Sequence, residues 1–414
     1  MNDSLPPSPD PPGIGIYVHF PWCLAKCPYC DFLSLPVSPA AARDTKSARA
    51  EIPHDLYADA VIRELKVRAQ RLGAARVRTI FFGGGTPSLW APSAVGRVLS
   101  AIYGAFQHDR GGEPIEVTAE CNPTSLDTEQ MEGFLDAGVN RFSIGVQSLE
   151  PETLRFLGRL HDAEGGLGAV SRAVERGKAR VSADLIYGVT GQSAERAVDE
   201  VLTIARLGVG HLSAYTLTIE PNTRFGALAR KGKLPILGDE IVADSFLAVS
   251  SALEAEGFEH YEISNFARAG QRSLHNQAYW RGQDYLGLGV GAVGTVRLGS
   301  ERIRYKNLLV VERYMEAFSS IAKEGNPFVG PLSEREIITA EMALVEALLL
   351  GLRTNDGLDL AAFHESTGHD PWTPERARAI DQLERKGLLE IEGALLKIPT
   401  QHWIVADNII RELV

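Results

Sequence analysis

Six short apolar runs, most of them followed by a helical pattern, govern what residues 14–217 can fold into. Residues 14–20, 77–82, 115–119, 141–147, 180–187 and 211–217 read as strands. Helical patterns over 55–71, 125–137, 151–157, 163–177 and 193–207 fill most of the gaps. Strands in this rhythm mean parallel β/α units. Six units fall short of the eight of a closed barrel. The expected fold class is α/β, built on a partial, open (β/α)6 barrel, with a doubly wound sheet as the alternative. Residues 35–53, rich in Pro, Ala and Ser, read as a surface insertion.

In such folds, sites gather at the C-terminal edge of the strands. The residues of note near that edge are Tyr17, Gly83-Gly84-Gly85-Thr86, Glu120, Gln147 and Asp184. Each alone has a plainer reading. The glycines suit a tight turn, Glu120 the surface, Gln147 a helix cap, and Asp184 an ion pair with an arginine. Their shared rim is what argues for a site.

Three of the four cysteines, Cys23, Cys27 and Cys30, follow the first strand, spaced C-x3-C-x2-C. Thiolates are soft ligands that suit zinc or iron–sulfur clusters. Three of them leave one corner open, or served by something distant, where a closed site takes four. Clustered cysteines also fit a reducing compartment better than a disulfide framework.

From about 230 the rhythm changes. A helix (239–256) precedes a strand-like stretch (260–266), then His275-Asn276-Gln277-Ala278-Tyr279-Trp280 and the glycine-rich 286–294. On a helix His275 and Tyr279 share a face. On a strand His275, Gln277 and Tyr279 do. Either way a potential metal ligand lies beside aromatic surface, with glycines leaving room for a flat ligand. The plainer reading is a His–Asn turn with Tyr and Trp in the core. Helices at 334–352, 358–365 and 373–386, a hairpin, and a helix at 404–413 give residues 330–414 a winged-helix-like pattern. The expected organisation is thus a disordered Pro-rich tail (1–12), a core (13–229), an α+β extension (230–329) and the C-terminal module. A net charge of −11 with no basic stripe disfavours nucleic acid as a partner. No apolar stretch approaches a membrane span and the tail is no signal peptide, so a cytoplasmic location is expected, peripheral membrane contact being compatible.

The cysteine spacing, with Tyr29 before the last cysteine, resembles the signature of radical S-adenosylmethionine (SAM) proteins. In that family three thiolates hold a [4Fe–4S] cluster, and SAM chelates the fourth iron. The reduced cluster can then cleave SAM to a deoxyadenosyl radical. The resemblance narrows to the coproporphyrinogen oxidase-like branch, HemN and HemW. It rests on Tyr17-Val-His-Phe-Pro-Trp-Cys, Phe82-Gly-Gly-Gly-Thr-Pro-Ser, Glu120-Cys-Asn-Pro, Arg141-Phe-Ser-Ile-Gly-Val-Gln-Ser, Leu157-Gly-Arg and Asp184-Leu-Ile-Tyr-Gly-Val-Thr-Gly-Gln. It implies that Tyr17, Gly84 and Glu120 contact the cluster-bound SAM. Tyr29, Gly85, Thr86, Gln147, Arg159 and Asp184 match positions that hold a second SAM in the oxidase.

The oxidase has a further cysteine where this chain has Phe32, and a longer N-terminal extension. Conversely, His275, Asn276, Tyr279 and Trp280 match the H-N-x-x-Y-W motif of the HemW group, whose members bind heme. The resemblance therefore implies a heme chaperone, with oxygen-independent coproporphyrinogen III oxidation as the alternative. Implied partners are heme, acceptor proteins (respiratory, membrane-associated ones among them) and an electron donor such as a flavodoxin or ferredoxin. A homodimer is compatible.

Overall fold

The computed structural model describes residues 13–108, 114–320, 326–330 and 332–414. The expected disordered tail, 1–12, lies outside them. Six parallel strands form as the sequence pattern requires: β1 (Gly13–Phe20), β2 (Arg76–Gly84), β3 (Glu116–Cys121), β4 (Arg141–Gln147), β5 (Arg180–Tyr187) and β6 (His211–Thr216). Helices cross between them, among them His54–Leu72, Pro92–Ala105 and Ala163–Arg176. Alternate residues of β1, Ile14, Ile16, Val18 and Phe20, are buried in the main apolar core.

The extension continues the same sheet through β7 (Glu259–Glu262), β8 (Asn265–Ala267), β9 (Tyr285–Leu288), β10 (Val293–Leu298), β11 (Glu301–Asn307) and β12 (Leu332–Ile337). The twelve strands run in the order β12-β11-β10-β9-β1-β2-β3-β4-β5-β6-β8-β7. β9 adds a seventh parallel strand, beside β1, whereas β8 pairs antiparallel with β6. The two ends of the sheet do not pair, so the barrel is open.

Four readings need correction. The 260–266 stretch is two strands, because the Glu262 carboxylate accepts the Ser264 N–H and the Asn265 amide and tightens a turn between them. Residues 332–337 form strand β12, and the helix starts only at Ala340, capped by Thr339. Cross-strand pairs favour that strand: Glu336 faces Arg304, Glu334 faces Lys306, and Arg335 reaches Glu301. The 35–53 segment is no plain insertion. Leu35–Pro36 pairs with Trp22–Cys23, and Asp44 caps a helix, Thr45–Glu51.

The glycine-rich run leaves no room for a flat ligand. A Cβ on Gly287 would strike the Val293 carbonyl, and one on Gly294 the Tyr305 ring. Those glycines serve close packing of β9, β10 and β11.

The His54–Leu72 helix is tied to this extension by a fully buried ion pair, Glu64 to Arg68 at 2.7 Å. Arg68 also donates to the Gly287 carbonyl (2.8 Å) and to Asn307 (2.7 Å). Glu64 accepts the Gly289 N–H (2.8 Å), Asn307 (2.7 Å) and the Tyr314 hydroxyl (2.5 Å). The C-terminal region holds the helices Ala340–Gly351, Leu360–Thr367 and Pro374–Arg385. Beside them lies a small antiparallel sheet of Leu358–Asp359, Leu395–Lys397 and Glu390–Glu392.

Candidate functional site

The cysteine loop begins where Pro21 ends β1. It closes on itself: the Leu35 N–H donates to the Pro21 carbonyl (2.7 Å), and the Val37 N–H to Cys23 (2.9 Å). His19 fastens it from inside the barrel. Its Nε2 donates to the Leu33 carbonyl at 2.8 Å, which leaves Nδ1 to accept the Tyr17 hydroxyl at 3.0 Å. Burial holds His19 down at about pKa 4, so the ring is neutral, as this pattern needs. The Tyr57 hydroxyl donates to the His19 carbonyl at 2.6 Å.

The triple glycine braces the other side. The Gly85 and Thr86 N–H groups donate to the carbonyls of Phe20 (2.7 Å) and Trp22 (2.8 Å). Gly84 has φ +109, and a Cβ there would run into the His19 ring. Only glycine satisfies both demands.

These elements enclose one cavity of about 590 Å³. It gathers Cys23, Cys27, Cys30, Tyr29, Gly84, Gly85, Thr86, Glu120, Gln147, Arg159 and Asp184 from stretches scattered over 160 residues. Among the described residues no three His, Cys, Asp or Glu side chains converge on a single ion. The three thiols line the same cavity, a soft donor set that suits an iron–sulfur cluster or zinc. Burial pushes the Cys23 thiol up to about 11 and raises Cys30 as well. A bound metal would hold them as thiolates.

Two carboxyls face this space with no ion pair among the described residues, although Arg141 acts on both at longer range and Arg159 on Asp184. Burial, and then the nearby Asp184, lift Glu120 to about 7. Burial also raises Asp184, whose oxygens accept the Ser143 hydroxyl at 3.1 and 3.2 Å. Glu120 accepts the Gly84 N–H at 3.0 Å. Such a pair is suited to an ammonium or to ribose hydroxyls, so the cavity fits both a cluster and SAM. Gln147 is the one described non-glycine residue with positive φ (68°). Behind it, Glu200 takes the Leu149 N–H (2.6 Å) and the Ser148 hydroxyl (2.7 Å), which fixes that strained turn.

Tyr17 does not line the cavity. Its ring stacks on Phe81 at 6.2 Å and its hydroxyl is held by His19. Cys121, Asn122, Ser143 and Tyr215 do line it and were not anticipated. For Ser143 and Tyr215 the signal lay in the strands, where polar residues fall on every second position, as in Arg141-Ser143 and His211-Ser213-Tyr215; Cys121 and Asn122 directly follow Glu120.

The H-N-x-x-Y-W residues lie elsewhere, on the helix Leu274–Trp280 at the strands' N-terminal ends. Glu116, the first residue of β3, accepts the N–H groups of Leu274 (3.0 Å) and His275 (2.9 Å) and pairs with Arg180. His275 Nδ1 is 2.8 Å from the Thr79 hydroxyl, and its ring stacks on Phe81 at 5.0 Å. Burial keeps it near pKa 4 and neutral. Nε2 makes no hydrogen bond among the described residues. Tyr279 is 47% exposed, edge-on to Tyr285, and Trp280 leans on Tyr261. Asn276 donates its backbone N–H to the Ser273 side chain that caps the helix.

An open parallel barrel carrying three thiols around a carboxyl-lined cavity at its C-terminal rim defines a radical SAM protein. Residues 17–203 match the Radical SAM superfamily and residues 338–402 the HemN C-terminal domain. The chain is 35% identical to the heme chaperone HemW of Escherichia coli strain K12, over 77% of this chain and 81% of that one. It is 32% identical to the heme chaperone HemW of Bacillus subtilis, over 95% and 97% respectively. The chain belongs to the HemW family of radical SAM proteins. Its fold is also that of the solved coproporphyrinogen III oxidase HemN from Escherichia coli. That likeness has a TM-score of 0.76 at 21% identity and covers 98% of this chain and 91% of the other.

Proposed function

We propose that the protein is a heme chaperone, binding heme at the Leu274–Trp280 helix and passing it to acceptor proteins. The reading rests on His275. It is a neutral imidazole with Nδ1 engaged and Nε2 without a partner among the described residues, on a helix that presents the half-exposed Tyr279. A neutral imidazole held through one nitrogen is a ready iron ligand through the other. Tyr279 and Trp280 supply apolar walls for the macrocycle, and Asn276 keeps the helix start in place. The Escherichia coli and Bacillus subtilis relatives, which align over 77% and 95% of this chain, carry the heme chaperone name.

In this reading Cys23, Cys27 and Cys30 hold a [4Fe–4S] cluster, which with SAM supplies one-electron chemistry when bound. Gly84 and Glu120 receive the SAM amine and carboxylate region, with Tyr17 supporting them from beneath. Tyr29, Gly85, Gln147 and Asp184 line the remaining room. A reductant protein such as a flavodoxin or ferredoxin would serve the cluster. The acceptors would include membrane-associated respiratory proteins; no described helix of this chain is itself long and apolar enough to cross a membrane.

The test is an anaerobic heme titration of cluster-loaded protein, with and without SAM, followed by transfer to an apo-acceptor. A Soret band that shifts on binding and is lost in His275→Ala supports the reading. Binding that is indifferent to His275 defeats it. One other reading is coproporphyrinogen oxidation, which rests on the residues around the thiols that match SAM positions of the oxidase. Formation of protoporphyrinogen from coproporphyrinogen III, SAM and reductant would establish it.

A further inference from the structure

Thr86 and Arg159 both stand at the cavity, and each gives one donor to a cysteine sulfur. The Thr86 hydroxyl donates to Cys23 Sγ at 3.3 Å, in a setting where both residues are buried. The Arg159 guanidinium donates through one terminal nitrogen to Cys27 Sγ at 3.5 Å and through the other to the Gly145 carbonyl at 2.8 Å. The carbonyl bond fixes the fork, so the sulfur contact is held by the fold of β4. Gly158, at φ +68, allows the turn that aims Arg159, and it packs against Pro28 of the cysteine loop.

We propose that Thr86 and Arg159 are second-sphere donors to two of the cluster's thiolates and set its reduction potential. Hydrogen bonds to cluster sulfurs, and a nearby positive charge, stabilise the reduced state, which carries one more negative charge. Both donors therefore raise the potential above what the three thiolates alone would give. The electron enters from an external reductant, and no bond in the protein is made or broken. A cluster poised in this way is a weaker reductant toward a sulfonium. Arg159 carries the larger share, since its bond is charge-assisted and the Thr86 bond is neutral.

The experiment is an anaerobic redox titration of the reconstituted full chain, followed by visible bleaching and by the electron paramagnetic resonance of the reduced cluster. Thr86→Val and Arg159→Gln are expected to load the cluster and to shift its midpoint to more negative potential, Arg159→Gln further. Thr86→Ser should return the midpoint to the parent value, which a purely structural role would not require. Unchanged midpoints in the loaded Thr86→Val and Arg159→Gln proteins overturn the proposal. So does a loss of SAM binding in Arg159→Gln with the midpoint unmoved, because Arg159 would then serve a SAM carboxylate. Should a variant fail to load, the unmodified protein decides. With 15N-arginine label, pulsed spectroscopy of the reduced cluster should show 15N coupling from a guanidinium on sulfur, and its absence overturns the assignment.

Discussion

The Thr79 hydroxyl, on β2, sits 2.8 Å from His275 Nδ1, on a helix nearly 200 residues away in the chain. It orients the one imidazole of the H-N-x-x-Y-W stretch and determines which nitrogen is left for a ligand. Thr79→Val should weaken heme binding on the order of tenfold or more, the usual cost of losing a ligand's outer partner. Thr79→Ser should preserve it. Optical titration measures both, and equal affinity in Thr79→Val would remove Thr79 from the site.

SAM affinity should depend on pH through Glu120. Without a cation its carboxyl titrates at about 7, raised from the usual carboxylate range by burial and Asp184. A cationic ligand prefers the ionised form. Affinity should therefore climb as pH rises through 7 and level off above, changing by up to about tenfold per pH unit on the acid side. Glu120→Gln should bind weakly and without that slope. Isothermal titration across pH 6–8 with cluster-loaded protein reads both.

Gly84→Ala should cost cluster loading more than overall folding. Its φ of +109 adds strain of ~1–3 kcal/mol for any other residue. Its new methyl group would displace His19, whose Nε2 holds the Leu33 carbonyl of the cysteine loop. Iron and sulfide content, compared with the melting temperature, separates the two effects.

Arg68→Met should destabilise the protein by roughly 3–5 kcal/mol, because Glu64 is left buried without its cation. Glu64→Gln combined with Arg68→Met should recover part of that loss. Urea unfolding of the single and double variants gives the numbers, and additive losses would contradict the coupling.

The barrel was legible because parallel strands print apolar runs at regular spacing, and the cysteine spacing declared its own chemistry. Residues 332–337 were not legible as a strand. Ser333-Glu334-Arg335-Glu336 looks helical until Arg304 and Lys306 stand opposite, and those lie on another strand. The glycines of 286–294 misled for the same reason. What they approach, the Val293 carbonyl and the Tyr305 ring, is set by tertiary packing. Gly84, Glu120 and Asp184 could be placed on one rim from strand ends alone. Thr79, inside β2, and Glu116, at the start of β3, could not, since their partner His275 lies more than 150 residues further along the chain.

Glu120 and Glu116 belong to the same strand, four residues apart, and each serves a different mouth of the barrel. At strand spacing that is about 13 Å. Whatever occupies the thiol cavity and whatever rests on His275 can therefore be aboard together, with no contest for space. If one guest senses the other, the rings stacked between them, His275 on Phe81 and Phe81 on Tyr17, offer one route and strand β3 another. The barrel would then serve less as a container than as a partition with a window in it.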